Sequence, residues 1–217
     1  MRLLQFFVFA CAVGFAGATS AKAGMLEISW DDLRPAAIDY ENPFEDLTAD
    51  QIDSLRQLLR LQPLVDAQDA DAVEKAAALR EQLTTDGMDP DWLFAQREAI
   101  IKNRRAAATN TNDALLGEDV MLPGYVLPLE FNGQKVVEFL LVPTVGACIH
   151  TPPPPANQMI HVTYPDGIEV NGLFNPVWIS GRMQSELSQQ MVSYVDGQSA
   201  IDVTYTMTPD KVEPYKP

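Results

Sequence analysis

Cysteine and histidine are nearly absent from this 217-residue chain, which has two of each. One cysteine, Cys11, falls inside an N-terminal apolar stretch, so a disulfide-stapled scaffold is excluded. Basic residues are scarce too: 15 Lys and Arg stand against 30 Asp and Glu, for a formal net charge of −15. Such a field repels nucleic acid and anionic lipid, which argues against a DNA or RNA role and favours cationic ligands or basic partner surfaces. After residue 18 no apolar run approaches the roughly 20 residues needed to cross a bilayer. The chain has no Gly-rich phosphate loop, no nucleophile elbow and no H-E-x-x-H pattern. It also shows no internal repeat.

The first residues have the form of a secretory signal peptide. Arg2 precedes an apolar stretch from Leu3 to Ala18, and Ala21-Lys22-Ala23 is an A-x-A cleavage site before Gly24. Residues 1–23 are therefore expected to be removed, with the mature chain in the periplasm. Phe9 stands where a lipoprotein signal wants a small residue, which argues against an anchor at Cys11. Cleavage takes away Arg2 and Lys22, leaving 13 basic against 30 acidic residues, a net charge of −17, and Cys148 as the lone cysteine.

The mature chain divides by pattern. Residues 24–112 form an N-terminal segment holding a helical hairpin or three-helix appendage over about 48–105. Thr48-Ala49-Asp50-Gln51 reads as a capping box before Ile52, Leu55, Leu58 and Leu59 at helical spacing. Asp71 with Glu74 opens a second helix carrying Val73, Ala76, Ala77 and Leu83, which Gly87 is placed to end. Asp89-Pro90 opens a third, packed through Trp92, Leu93, Ile100 and Ile101. The charged faces read as solvated surface.

Residues 113–208 read as strands and turns. Candidate strands are 118–128, 135–143, 158–164, 176–183 and 200–207. Asn132-Gly133 joins the first two as a tight hairpin, and Pro165-Asp166-Gly167 ends the third. Ile201, Val203 and Tyr205 share a face of the fifth. Trp178 lies in a strand that reaches Gly181, where an OB-like barrel would bend, and the aromatics Phe131, Phe139, Tyr164, Phe174 and Trp178 read as core or barrel wall. The expected fold is mainly β: a small, OB-like five-stranded barrel with an inserted or N-terminal helical segment, α+β overall. Residues 209–217 are expected to be a proline-containing tail.

Unusual chemistry is concentrated between the second and third strands. Cys148 and His150, separated by one residue, share a face if the segment is extended, a spacing suited to a thiolate and an imidazole on one soft or borderline metal. His161 follows in the next strand, so the lone mature cysteine and both histidines fall within 14 positions. Cys148, His150 and His161 are the candidate ligands for zinc, with copper as the other candidate, completed by a carboxylate such as Glu138 or by water. Gly146, Pro152, Pro153, Pro154, Pro155 and Asn157 form a stiff loop, because consecutive prolines fix an extended backbone. Such a loop loses little entropy on docking a partner.

Two other readings of the same residues stand beside the metal. Cys148 is also what a buried core thiol looks like, with His150 a hydrogen-bonded loop anchor and Asn157-Gln158 tying the loop. A nucleophilic Cys148 activated by His150 is the third, although neighbours two apart on one strand rarely meet in the alignment proton transfer needs.

Several stretches together carry a family resemblance: Trp30-Asp31-Asp32-Leu33, the run from Leu122 to Leu129, Glu138 to Pro143, and Gly146 to His150 followed by Pro152 to Asn157. The chain resembles a family of exported bacterial proteins of unassigned function. The likeness covers the Trp30 motif and most of residues 117–214, leaving the helical segment aside. It implies a link to ABC-type transport components and to periplasmic metal-binding proteins of zinc handling. The expected function is a periplasmic accessory protein that binds a transition metal and assists a transport system. A non-catalytic module whose rigid loop docks a membrane partner is the alternative, and a Cys/His-dependent enzyme comes third.

Overall fold

The computed structural model describes residues 24–146, 152–170, 172, 175–194 and 197–216. The expected signal peptide and Phe174 lie outside the described residues. Among the described residues, three α-helices follow a short N-terminal strand: α1 (Ala49–Asp66), α2 (Ala70–Thr85) and α3 (Pro90–Thr109). Thr48 and Gln51 close α1 with the reciprocal bonds of a capping box, Gln51 N donating to Thr48 Oγ1 and Thr48 N to Gln51 Oε1. The cap of α2 is Asp69, two residues before the expected start at Asp71, because the Asp69 carboxylate reaches the N–H of Ala72. Gly87 takes a φ of 80° and ends α2 in a Schellman turn, with Met88 N bonded to Leu83 O and Gly87 N to Thr84 O. Pro90 occupies the first turn of α3, which runs four residues past Arg105. Leu55, Leu58, Ala76, Leu83 and Leu93 bury the faces the three helices share.

The remainder is a single sheet of β1 (Leu26–Glu27), β2 (Asp119–Asn132), β3 (Lys135–Val142), β4 (Ile160–Glu169), β5 (Pro176–Arg182), β6 (Gln184–Tyr194), β7 (Gly197–Met207) and β8 (Lys211–Pro214). Its order is β6-β7-β4-β3-β2-β5-β8, with β1 parallel to the start of β2. The OB-like five-stranded barrel expected from strand count is thus replaced by an open, eight-stranded sheet. Two of the extra strands are edges whose sequences lack alternation. Gln184–Tyr194 is mostly polar and pairs with β7, while Lys211–Pro214, expected as tail, pairs with β5. Edge strands need bury little, so period-2 patterning is weak in them.

The sheet is nonetheless strongly curled. β7 lies second in the order and β8 last, yet only residues 208–210 connect them. Gly181 in β5 marks the close approach: a Cβ there would lie 2.8 Å from Pro209 Cα. Curling explains why both faces are buried. Val136, Phe139, Leu141, Ile160, Val162, Ile179, Tyr205 and Met207 enter one cluster, and Leu127, Leu140, Val142, Met159, Val192, Ile201 and Val203 another. The unbroken run Phe139-Leu140-Leu141-Val142 belongs to a central strand buried on both sides.

The expected hairpin joins β2 and β3, but its two turn residues are Gly133, at φ 65°, and Gln134, while Asn132 ends β2 and pairs with Lys135. Pro165-Asp166-Gly167 does not end β4. Gly167, at φ 65°, sits opposite the register shift between Val136 and Glu138, and the strand continues as a bulged ladder to Glu169.

Candidate functional site

β3 leaves the sheet at Val142 and the chain returns in β4 at Ile160, so residues 143–159 form one long connection at the same end of two central strands. Cys148 and His150 lie outside the described residues. His161 is the second residue of β4, opposite Leu140, while Glu138 opposes Thr163. This diagonal relation brings the two side chains together: His161 Nε2 is 2.6 Å from Glu138 Oε1, and the pair is 16% and 27% exposed. A neutral His161 donating to an ionised Glu138 holds its proton on Nε2 and presents Nδ1 as the acceptor nitrogen. Among the described residues no three His, Cys, Asp or Glu side chains gather into a metal-sized cluster.

The rest of the connection is anchored. Gly146 turns at φ 81°, a conformation glycine adopts without strain. Pro152, Pro153 and Pro155 are exposed and Pro154 half-buried, with Pro155 at φ −52° and ψ 150°, the polyproline conformation. A short turn at Ala156–Gln158 then drives two amides inward. Asn157 Nδ2 donates to Ala107 O and Asn110 O, both at 2.8 Å, and Gln158 Nε2 donates to Trp30 O at 2.9 Å. Asn157 and Gln158 therefore tie the loop to the end of α3 and to the Trp30 segment.

Trp30 is held from its other side. Its Nε1 donates to Pro123 O at 2.8 Å, and its ring lies against Gly124, where an added Cβ would meet Leu141 Cγ at 2.6 Å and Trp30 Cζ2 at 3.0 Å. Asp32 accepts from both the N–H and the hydroxyl of Ser29, which holds its carboxyl below the usual range. The Trp30 motif, the Leu122–Leu129 run, Leu141 and Gln158 are thus mutual packing partners. A cavity of about 250 Å³ opens beside them, lined by Trp30, Pro123, Tyr125, Pro143, Pro176 and Tyr215. Tyr215 stacks on Trp178 with ring centroids 5.7 Å apart.

A model of the family described as a protein of unknown function (DUF3299) matches residues 30–214. The chain belongs to this family. The DUF3299 match begins at Trp30, ends with β8 and takes in the three helices, which the sequence motifs alone had left aside. A crystal structure of a DUF3299 family protein from Pseudomonas aeruginosa is similar at 26% identity and a TM-score of 0.48, over 88% of this chain and 97% of that one. No curated protein matches the chain.

One group escaped the sequence reading. Three arginines, Arg56, Arg97 and Arg104, line a cavity of about 460 Å³ between α1 and α3, though the helices' charged faces read as plain surface. Their spacing beside Ile52, Leu55, Leu59, Ile100 and Ile101 was the available signal. Among the described residues no helix is long and apolar enough to cross a membrane.

Proposed function

We propose that this DUF3299 protein is a periplasmic accessory protein that binds one transition-metal ion, zinc by preference, at the β3–β4 connection, in the service of a transport system. The observation that carries the reading is the His161–Glu138 pair. A metal-bound histidine characteristically gives its other ring N–H to a carboxylate, which fixes the tautomer and raises the basicity of the ligating nitrogen. His161 would offer Nδ1, with Glu138 as its orienting partner rather than a ligand. Cys148 would supply a thiolate and His150 a second imidazole, a donor set that fits zinc and also copper. A bound ion would hold the loop closed on the sheet and offset part of the protein's negative charge. Transport and zinc handling rest on the sequence resemblance.

The test is the metal content of the mature chain, purified from the periplasm without chelator or His-tag, beside Cys148→Ser, His161→Ala and Glu138→Gln. About one equivalent of zinc or copper is expected in the parent and none in the first two. Glu138→Gln should weaken affinity by about ten- to a hundredfold. A parent that stays empty after zinc and copper are added back overturns the proposal. That result would favour a second reading, a non-catalytic module that docks a membrane partner. Its support is the aromatic- and proline-lined cavity at Trp30, Tyr125 and Tyr215, beside a loop already pinned by Asn157 and Gln158.

A further inference from the structure

The helical segment contains a cavity of about 460 Å³, within the range of small-molecule sites. Its floor is apolar. α1 contributes Ile52, Leu55 and Leu59, α3 contributes Phe94, Ile100 and Ile101, and Phe44 also lines the cavity. Leu55 and Ile100 are buried, whereas Leu59 and Ile101 are 39% and 43% exposed, so apolar surface is left facing the opening.

The charge of the lining is the opposite of the protein's. Arg56, Arg97 and Arg104 line the cavity and no acidic residue does, in a chain with twice as many acids as bases. Arg97 is paired with its neighbour Glu98, while Arg56 and Arg104 have no ion-pair partner among the described residues. Guanidinium groups at the mouth of an apolar slot recognise a carboxylate or phosphate whose attached chain fills the slot. The spacing is built into the helices: Arg56 follows Ile52 by four positions, and Arg104 follows Ile100 by four and Arg97 by seven. Each arginine therefore stands along the helix face that supplies the apolar floor.

We infer that this cavity binds a single-chain anionic amphiphile, its apolar tail between α1 and α3 and its acidic head on Arg56 and Arg104. The site is separate from the β3–β4 connection and does not depend on a metal there. A fatty acid and a single-chain phospholipid fragment share this chemistry.

Calorimetric titration of the full mature chain with laurate, below its micelle concentration and at low salt, tests the assignment. One saturable site is expected, with dodecanol at least about tenfold weaker and dodecyltrimethylammonium without binding, since a charge-assisted pair contributes on the order of a factor of ten. Hexanoate should also be much weaker, because it leaves most of the apolar floor uncovered. Arg56→Gln/Arg104→Gln should lose about tenfold or more, whereas Lys102→Gln/Arg105→Gln, the same charge change outside the lining, should match the parent. Circular dichroism checks that both variants keep their helices. Absence of a saturable site overturns the inference, as does equal binding of the cationic chain or indifference to the Arg56/Arg104 change. Dodecyl phosphate distinguishes the two sources: tighter than laurate, it assigns a phospholipid fragment, and weaker, a fatty acid, each in support of the site.

Discussion

The hydroxyl of Tyr205, in β7, donates a 2.7 Å hydrogen bond to the backbone carbonyl of Leu33, 172 residues earlier in the chain. The same oxygen accepts from the N–H of Asn112 at 2.6 Å, and Asn112 Nδ2 donates to Asp32 O. One buried phenol thus joins the Trp30 segment, the exit from the helices and the sheet.

Tyr205→Phe should destabilise the protein by about 1–3 kcal/mol, because a half-buried N–H and a buried carbonyl both lose their partner. Burial pushes the Tyr205 phenol above its ordinary value. The fold therefore favours the protonated form. That contribution is complete below the unfolded tyrosine pKa, about 10, and disappears as pH rises through the higher folded value. Urea denaturation between neutral and strongly alkaline pH should show the parent losing stability there, with a shallower decline in Tyr205→Phe. Identical alkaline limbs would remove Tyr205 from the account.

Gly124 is predicted to tolerate no side chain, for steric rather than conformational reasons. Its absent Cβ would lie 2.6 Å from Leu141 Cγ and 2.9 Å from Leu141 Cδ2, with Trp30 at 3.0 Å on the same side. Gly124→Ala should cost about 1–3 kcal/mol by overpacking. In Gly124→Ala/Leu141→Ala the alanine has room, so the double variant should be more stable than the two single losses sum to. Strict additivity in thermal or chemical denaturation would show that Leu141 is not the obstacle.

These relationships also show what the sequence made legible. Local signals sufficed for the helices, because the Thr48 capping box, Gly87 and Asp89-Pro90 act within a few residues of themselves. The β2–β3 hairpin was legible for the same reason, through the glycine of Asn132-Gly133, whereas Tyr205 packs in a different cluster from Ile201 and Val203, whose face it was expected to share. The edge strands were not: Gln184–Tyr194 and Lys211–Pro214 are held by pairing to β7 and β5, a long-range property that leaves little pattern. The order of the open sheet was equally invisible, since the pairing of β7 with β4 and of β8 with β5 joins strands far apart in the chain. At the candidate site, nearness in sequence marked Cys148, His150 and His161, but pairing Glu138 with His161 required the β3–β4 register. The motif residues Trp30, Pro123 and Gly124 attracted notice as a family signature, and their contacts account for them first as packing.

Asn157 is the site residue whose role can be tested apart from any ligand. It is 1% exposed, both of its donors go to carbonyls at the end of α3, and its own Oδ1 is buried without a partner. Helix ends leave their last carbonyls unsatisfied, so these two bonds serve α3 as much as the loop. Asn157→Ala removes both donors together with the unpaired oxygen and should cost about 1–3 kcal/mol. Asn157→Asp should be worse at neutral pH, because it buries a charge against two carbonyls with nothing to donate. In acid the new carboxyl is protonated and regains one donor, so the gap between the two variants should narrow. Hydrogen exchange should locate the damage in the last turn of α3. An Asn157→Asp protein as stable as the parent at neutral pH would mean that the amide does not hold the helix end to the loop.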